Sequence, residues 1–274
     1  MRLYLALIIY FLLAPNLLAQ EDAPPAEAAP RVPRVVREEK EFNFFPGGKI
    51  EISIGAAGSL KIVGWPRGSV RMEAEKIFYY PSKEQEENPE PPEIPIKVRY
   101  GQTSATIKTP LNPEAHAEVN LTVYVPGYRT DVTARLHNGD FSVEGVNGWV
   151  EVTIAADGSI DAKSLSGYFS GTTPHGDINV EMDGVRWQGL EFTGLTQIGS
   201  INLQIPEKYS ASLELQARNG RISIDYPPPV VEGETVPLEV ATHKNSQQLK
   251  ASVGNGGAPI KLLTEVGNIT LSKK

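Results

Sequence analysis

The chain has 274 residues, 40% of them hydrophobic, and carries 26 Lys and Arg against 33 Asp and Glu, for a formal charge of −7. The absence of cysteine excludes disulfides, thiolate metal sites, a cysteine nucleophile and a lipid-modified N-terminal cysteine. Basic residues dispersed through an acidic chain leave no stripe for nucleic acid, and 25 glycines and 22 prolines with only three methionines suit short strands and turns rather than helices.

Met1-Arg2 is a small positive start, Leu3 to Ala14 an apolar run, and Leu17-Leu18-Ala19-Gln20 a small-residue exit. This is the grammar of a signal peptide over residues 1–20. Its apolar run is shorter than the roughly 20 residues that span a bilayer, so cleavage is expected rather than a retained anchor. No later segment could cross the membrane as a helix, and the expected location is exported: periplasm, cell surface or secreted. Residues 21–39, rich in Ala and Pro without periodicity, read as a disordered linker.

Residues 40–274 read as one β-repeat domain. Ile50, Ile52 and Ile54, then Leu60 and Ile62, then Val70, Met72 and Ala74 alternate with polar residues, which places one set of side chains in a core and the other in water. Residues 81–95, PSKEQEENPEPPEIP, cannot bury enough surface to order themselves and read as an exposed loop or flap. Alternation resumes at 96–100, 105–107, 117–125 and 132–136.

From Asn138 a glycine phrase returns six times: Gly139-Asp140-Phe141-Ser142-Val143, Gly158-Ser159-Ile160-Asp161-Ala162, Gly176-Asp177-Ile178-Asn179-Val180, Gly199-Ser200-Ile201-Asn202-Leu203, Gly220-Arg221-Ile222-Ser223-Ile224 and Gly267-Asn268-Ile269-Thr270-Leu271. The intervals are 19, 18, 23, 21 and 47 residues. The last reads as about two units with a proline-rich loop near 227–237. Val150 to Ile154 and Leu190 to Thr193 supply a second strand per unit. A unit of about 20 residues cannot close a core alone, but stacked units bury a continuous inward ladder. The expected fold is all-β, a β-solenoid or roll-like stack of short strands. The alternative is a β-sandwich, above all for residues 40–126. In the stack Ile178 points inward and Asn179 outward, so Ile178→Asp should be costly and Asn179→Asp nearly silent.

Gly58-Ser59-Leu60-Lys61-Ile62-Val63-Gly64-Trp65, then Val70-Arg71-Met72-Glu73-Ala74, then Val123-Tyr124-Val125-Pro126 and the serial glycine phrases resemble the bacterial putative-adhesin family of β-strand repeat proteins, a domain of unknown function. The resemblance covers nearly all of 42–274 and implies a secreted or envelope-facing β-repeat domain. It brings no functional residues with it.

Chemistry-bearing patterns are sparse. His116, His137, His175 and His243 show no metal-ligand spacing, although stacking could bring His137 and His175 close. Asp140, Asp157, Asp161 and Asp177 fall at or beside the turns, where rungs about 5 Å apart could build a carboxylate ladder for calcium. The glycine-aspartate nonapeptide of calcium-binding rolls is missing, and Asp is an ordinary turn residue. No catalytic, cofactor-binding or metal residue is assigned, no cofactor is expected, and the chain does not read as an enzyme. Trp65, Trp149, Trp187, Tyr124 and Tyr128 fall at corners or on polar faces, where they either pack over the ends of the core or stack on a ligand. The functional expectation is a non-enzymatic adhesin-like surface or envelope scaffold or binding module, its partner left open between an envelope protein and a glycan. The alternative is a carbohydrate-binding or carbohydrate-active β-helix.

Overall fold

A computed structural model describes residues 32–80, 93–111, 117–231 and 234–274. The signal peptide, residues 21–31 of the linker and residues 81–92 of the flap lie outside the described residues. Among the described residues no helix is long and apolar enough to cross a membrane.

The N-terminal part holds β1 (Val32–Asn43), β2 (Lys49–Ala57), β3 (Leu60–Trp65), β4 (Ser69–Tyr80), β5 (Lys97–Tyr100), β6 (Ser104–Lys108) and β7 (Ala117–Pro126). Pairs of one long and one short strand follow: β8 (Asp131–Asn138) with β9 (Phe141–Glu144), β10 (Asn147–Ile154) with β11 (Ile160–Lys163), and β12 (Ser166–His175) with β13 (Ile178–Glu181). Two more pairs are β14 (Gly189–Ile198) with β15 (Ile201–Ile205) and β16 (Ala211–Asn219) with β17 (Ile222–Asp225). The chain closes with β18 (Val230–Val231), β19 (Glu234–Thr235), β20 (Ala241–His243), β21 (Ser246–Val253), β22 (Pro259–Val266) and β23 (Ile269–Lys273).

Each glycine phrase is a corner. A long strand runs into it, a short strand runs out, and the two belong to different walls of one β-solenoid-like stack. Along one wall the parallel order is β2, β8, β10, β12, β14, β22, β16. Along the other it is β3, β9, β11, β13, β15, β23, β17. Residues alternate in and out along each strand, so Phe141, Ile160, Ile178, Ile201, Ile269 and Ile222 form one inward column at successive rungs. The alternation that predicts strands therefore also specifies the wall each residue faces.

The glycines line up along one edge. A Cβ on Gly139 would press into the carbonyl oxygen of Gly58, and the same holds for Gly158 on Gly139, Gly176 on Gly158, Gly199 on Gly176, Gly267 on Gly199 and Gly220 on Gly267. Rungs close this tightly at the corner only because no side chain stands between them. Three of the carbonyls receive a buried threonine hydroxyl: Thr173 donates to Gly158 at 2.7 Å, Thr196 to Gly176 at 2.9 Å and Thr264 to Gly199 at 2.8 Å.

Three features differ from the sequence expectation. The coil of β22 and β23 lies between the coils of β14–β15 and β16–β17, so the 47-residue interval is an excursion and return, not two further units in line. Residues 32–39, linker by composition, begin β1, which pairs antiparallel with β4 from Val32↔Tyr80 to Asn43↔Ser69. A twelve-residue partner strand supplies the order that proline and charge lack, and Pro33 is tolerated because β1 is an edge. Ile94, placed in the flap, is buried, which ties that end of the segment to the core. The sandwich alternative for 40–126 gives way to a first coil, β2–β3, in parallel with the rest. Beyond that coil β6 continues one wall in parallel with β2, and β7 the other in parallel with β3. Antiparallel strands close both ends, β5 on β6 and β4 with β1 on β7 at one and β21 with β20 at the other. Such caps keep parallel edges from pairing with other chains.

Candidate functional site

A second glycine column runs where the long strands begin. A Cβ on Gly148 would meet the Thr130 carbonyl, one on Gly167 that of Gly148, and one on Gly189 that of Gly167. With no Cβ on three successive rungs, the surface sinks into a shallow, open trough whose lining also includes Gly47, Arg129, Asp131, Trp149, Tyr168 and Leu190.

The next residue on each strand forms the wall. Trp149 is in register with Tyr168, and their rings stack with centroids 3.8 Å apart at 21°. The Trp149 backbone N–H donates to Asp131 Oδ1 at 2.9 Å, which ties the aromatic wall to the preceding coil. One rung further on, Gly167 pairs with Gly189 but Tyr168 pairs with Glu191. Leu190 is the extra residue of a β-bulge, a device that re-aims a side chain, and it stands 71% exposed beside Tyr168. Arg129, at φ 54°, holds its guanidinium 5.2 Å from the centre of the exposed Tyr128 ring. The Thr193 hydroxyl and, after it, the Lys261 ammonium hold the Glu191 carboxyl below its ordinary range, so one flank of the trough keeps its charge.

The trough is apolar, rigid and bounded by charge. Trp149 and Tyr168 stack on each other, so the pair takes up one face of each ring. The 40% exposed Trp149 and the aliphatic Leu190 make the remaining surface apolar. That surface suits the apolar side chains of a protein partner better than a pyranose ring.

The other aromatics serve packing. Trp187 is 4% exposed and meets Phe192 edge-on at 5.5 Å. It is carried by residues 182–188, a longer connection than the two-residue links before β10 and β12, which accounts for the 23-residue interval. Trp65 donates from Nε1 to the Ser69 carbonyl at 2.8 Å and lies 5.4 Å from Tyr124, with Arg67 4.9 Å above it.

The aspartates do not gather. Ser159 stands between Asp140 and Asp177, taking the Asp177 N–H on its Oγ at 3.3 Å and giving its own N–H to Asp140 at 2.8 Å. Asp177 in turn accepts the Ser200 N–H at 2.7 Å. Asp161 accepts from Asn179 at 2.8 Å, and Asn179 from Asn202 at 2.8 Å. Asp157 pairs with His175 at 2.9 Å, and that corner column continues to Asn138, so His137, one position earlier on β8, is not a register partner of His175. His243 is exposed on β20, and His116 lies outside the described residues. Among the described residues no three His, Asp or Glu are placed to hold a metal.

The sequence reading missed Tyr168 and Leu190 as wall residues. Their signal is a second phrase, glycine followed by a large apolar residue, at Gly148-Trp149, Gly167-Tyr168 and Gly189-Leu190.

No curated protein matches the sequence. Among solved structures, one described as a putative cell adhesion protein from Clostridium sporogenes aligns over 87% of this chain and 100% of its own, at 10% identity and a TM-score of 0.42. Another, described as a putative adhesin from Bacteroides fragilis, aligns over 86% and 97% at 12% identity and a TM-score of 0.27. The family model described as Toastrack DUF4097 matches residues 131–272, from the first residue of β8 into β23. More than half of the chain, including every coil from β8 onward, thus carries that pattern, and the protein belongs to the Toastrack DUF4097 family.

Proposed function

We propose that the protein is an exported, non-enzymatic binding module that acts through its surface in an adhesin-like manner at the cell envelope, with a protein as partner. The observation that carries this is the trough. Solvent-facing Trp149, Tyr168 and Leu190 stand on a glycine floor that cannot rearrange without breaking rung contacts. An apolar patch held in place at a cost to local regularity is the mark of an interaction surface. Aromatic rings, one aliphatic side chain and glycine backbone can bind, and the one carboxylate in the lining, Asp131, accepts the Trp149 backbone N–H. The signal-peptide grammar of residues 1–20 supports export.

The test is retention of the protein on immobilised envelope material before and after treatment of that material with protease or with periodate. The expected result is binding that protease abolishes, that periodate spares, and that Leu190→Asp weakens about tenfold or more, as for an interface hot spot. Leu190 is exposed, so this variant should keep its thermal midpoint. Binding lost to periodate and spared by protease would favour the glycan alternative instead.

A further inference from the structure

Three loops meet at the corner where β22 enters between β14 and β16: residues 182–188 between β13 and β14, 206–210 between β15 and β16, and 254–258 between β21 and β22. They are joined directly. The Ser210 N–H donates to the Val185 carbonyl at 2.8 Å, the Asn255 N–H to Ser210 Oγ at 3.1 Å, and the Ser212 hydroxyl to the Gly257 carbonyl at 2.9 Å. Gly254 lies so close to Ser210 that a Cβ there would collide with it.

Between the loops is a concavity lined by Arg186, Trp187, Lys208, Ser210, Asn255 and Gly257 among others. Its lining includes two cations and no carboxylate, in a chain of formal charge −7. Neither Arg186 nor Lys208 forms an ion pair among the described residues. The acids on the same loops are engaged elsewhere. Asp183 is held by Lys274 and Ser164, and Glu207 by Lys273 at 2.6 Å, with Lys208 adding a weaker attraction to Glu207. A further group in the wall is also unmatched: the Trp187 indole N–H is buried and has no acceptor among the described residues, a state folded proteins normally avoid.

We infer that this corner binds an oxyanion, a sulfate or phosphate group, with Arg186 and Lys208 supplying charge and Ser210 and Asn255 supplying neutral donors. Positive charge gathered in a concavity concentrates anions there, and the charge-assisted hydrogen bonds that Arg and Lys give to such oxygens are the strong ones. The site shares only Gly189 with the aromatic trough and stands independently of the trough's proposed role.

The experiment is titration calorimetry on the full chain at low ionic strength with four probes: inorganic sulfate, inorganic phosphate, dextran sulfate and uncharged dextran. The test variant is Arg186→Gln with Lys208→Gln. The charge-matched control, Lys97→Gln with Arg99→Gln, lies on β5 at the opposite end of the stack. Dextran should not bind, and the test variant should lose about tenfold or more in affinity for the anionic probes while the control stays within about twofold of the parent. Such a loss for inorganic sulfate or phosphate identifies a site for the free ion; such a loss for dextran sulfate alone identifies one for a polymer-borne ester. All four substituted side chains are exposed, so thermal midpoints should be unchanged. Equal loss in the two double variants, or no binding of any anionic probe to the parent chain, would overturn the inference.

Discussion

Gly176 shows why a single atom matters in this molecule. Its φ is +151°, and a Cβ there would press into the backbone of Gly158 on the adjacent rung. Gly176→Ala should therefore destabilise by about 2–4 kcal/mol, since backbone must move to admit a methyl group. Gly68, whose Cβ would find its nearest neighbour at 3.8 Å, should tolerate alanine within about 0.5 kcal/mol. Denaturant unfolding of the two variants checks both. Tyr209 makes a different prediction. Burial, and after it the charge of Asp183, raise its phenol above the ordinary 10.0, and burial does the same for Tyr226. A raised folded-state value means a contribution that is complete below about pH 10 and lost as pH rises, because the unfolded chain ionises first. Thermal midpoints measured from pH 8 to 11 should fall at the alkaline end, and Tyr209→Phe should flatten that fall.

At the scale of the strand, Ile178 and Asn179 are neighbours with opposite fates. Ile178 is fully buried, so Ile178→Asp should cost about 4 kcal/mol by burying an unpaired charge. Asn179→Asp is not the silent change that its outward position suggests. The Asn179 amide gives a hydrogen to Asp161 and takes one from Asn202, and a carboxylate there would face Asp161 with no hydrogen to give. The expected cost is about 1 kcal/mol, read from the same unfolding curves. Alternation shows which side a residue faces, but the partner on the next rung depends on which coil lies there. The glycine corners were legible for a similar reason: close approach demands the same residue at every rung. Leu190 was not legible because a bulge is one extra residue whose location only pairing reveals. Nor was β1, whose Pro33 and charges imitate a linker until β4 is seen beside it.

At the scale of the molecule, the coils form one stack with antiparallel ends, and two coils enter it out of turn, β6–β7 outside β2–β3 and β22–β23 between β14–β15 and β16–β17. Nothing local forbids the simpler order, since β16 could follow β14 with the same alternation and the same glycine at the corner. The excursion through residues 226–258 makes the difference by building β20 and β21 against the far side of β16, which leaves β22 the place between β14 and β16. That arrangement also creates the three-loop corner where Arg186 and Lys208 meet. A chain without cysteine allows this order to be tested with introduced thiols and a cross-linker of about one rung's reach, roughly 5 Å. Leu195 and Leu263 are register partners, and Leu263 in turn partners Gln216. The account predicts rapid cross-linking of Leu195→Cys with Leu263→Cys and none of Leu195→Cys with Gln216→Cys. Cross-linking of the second pair in place of the first would contradict it.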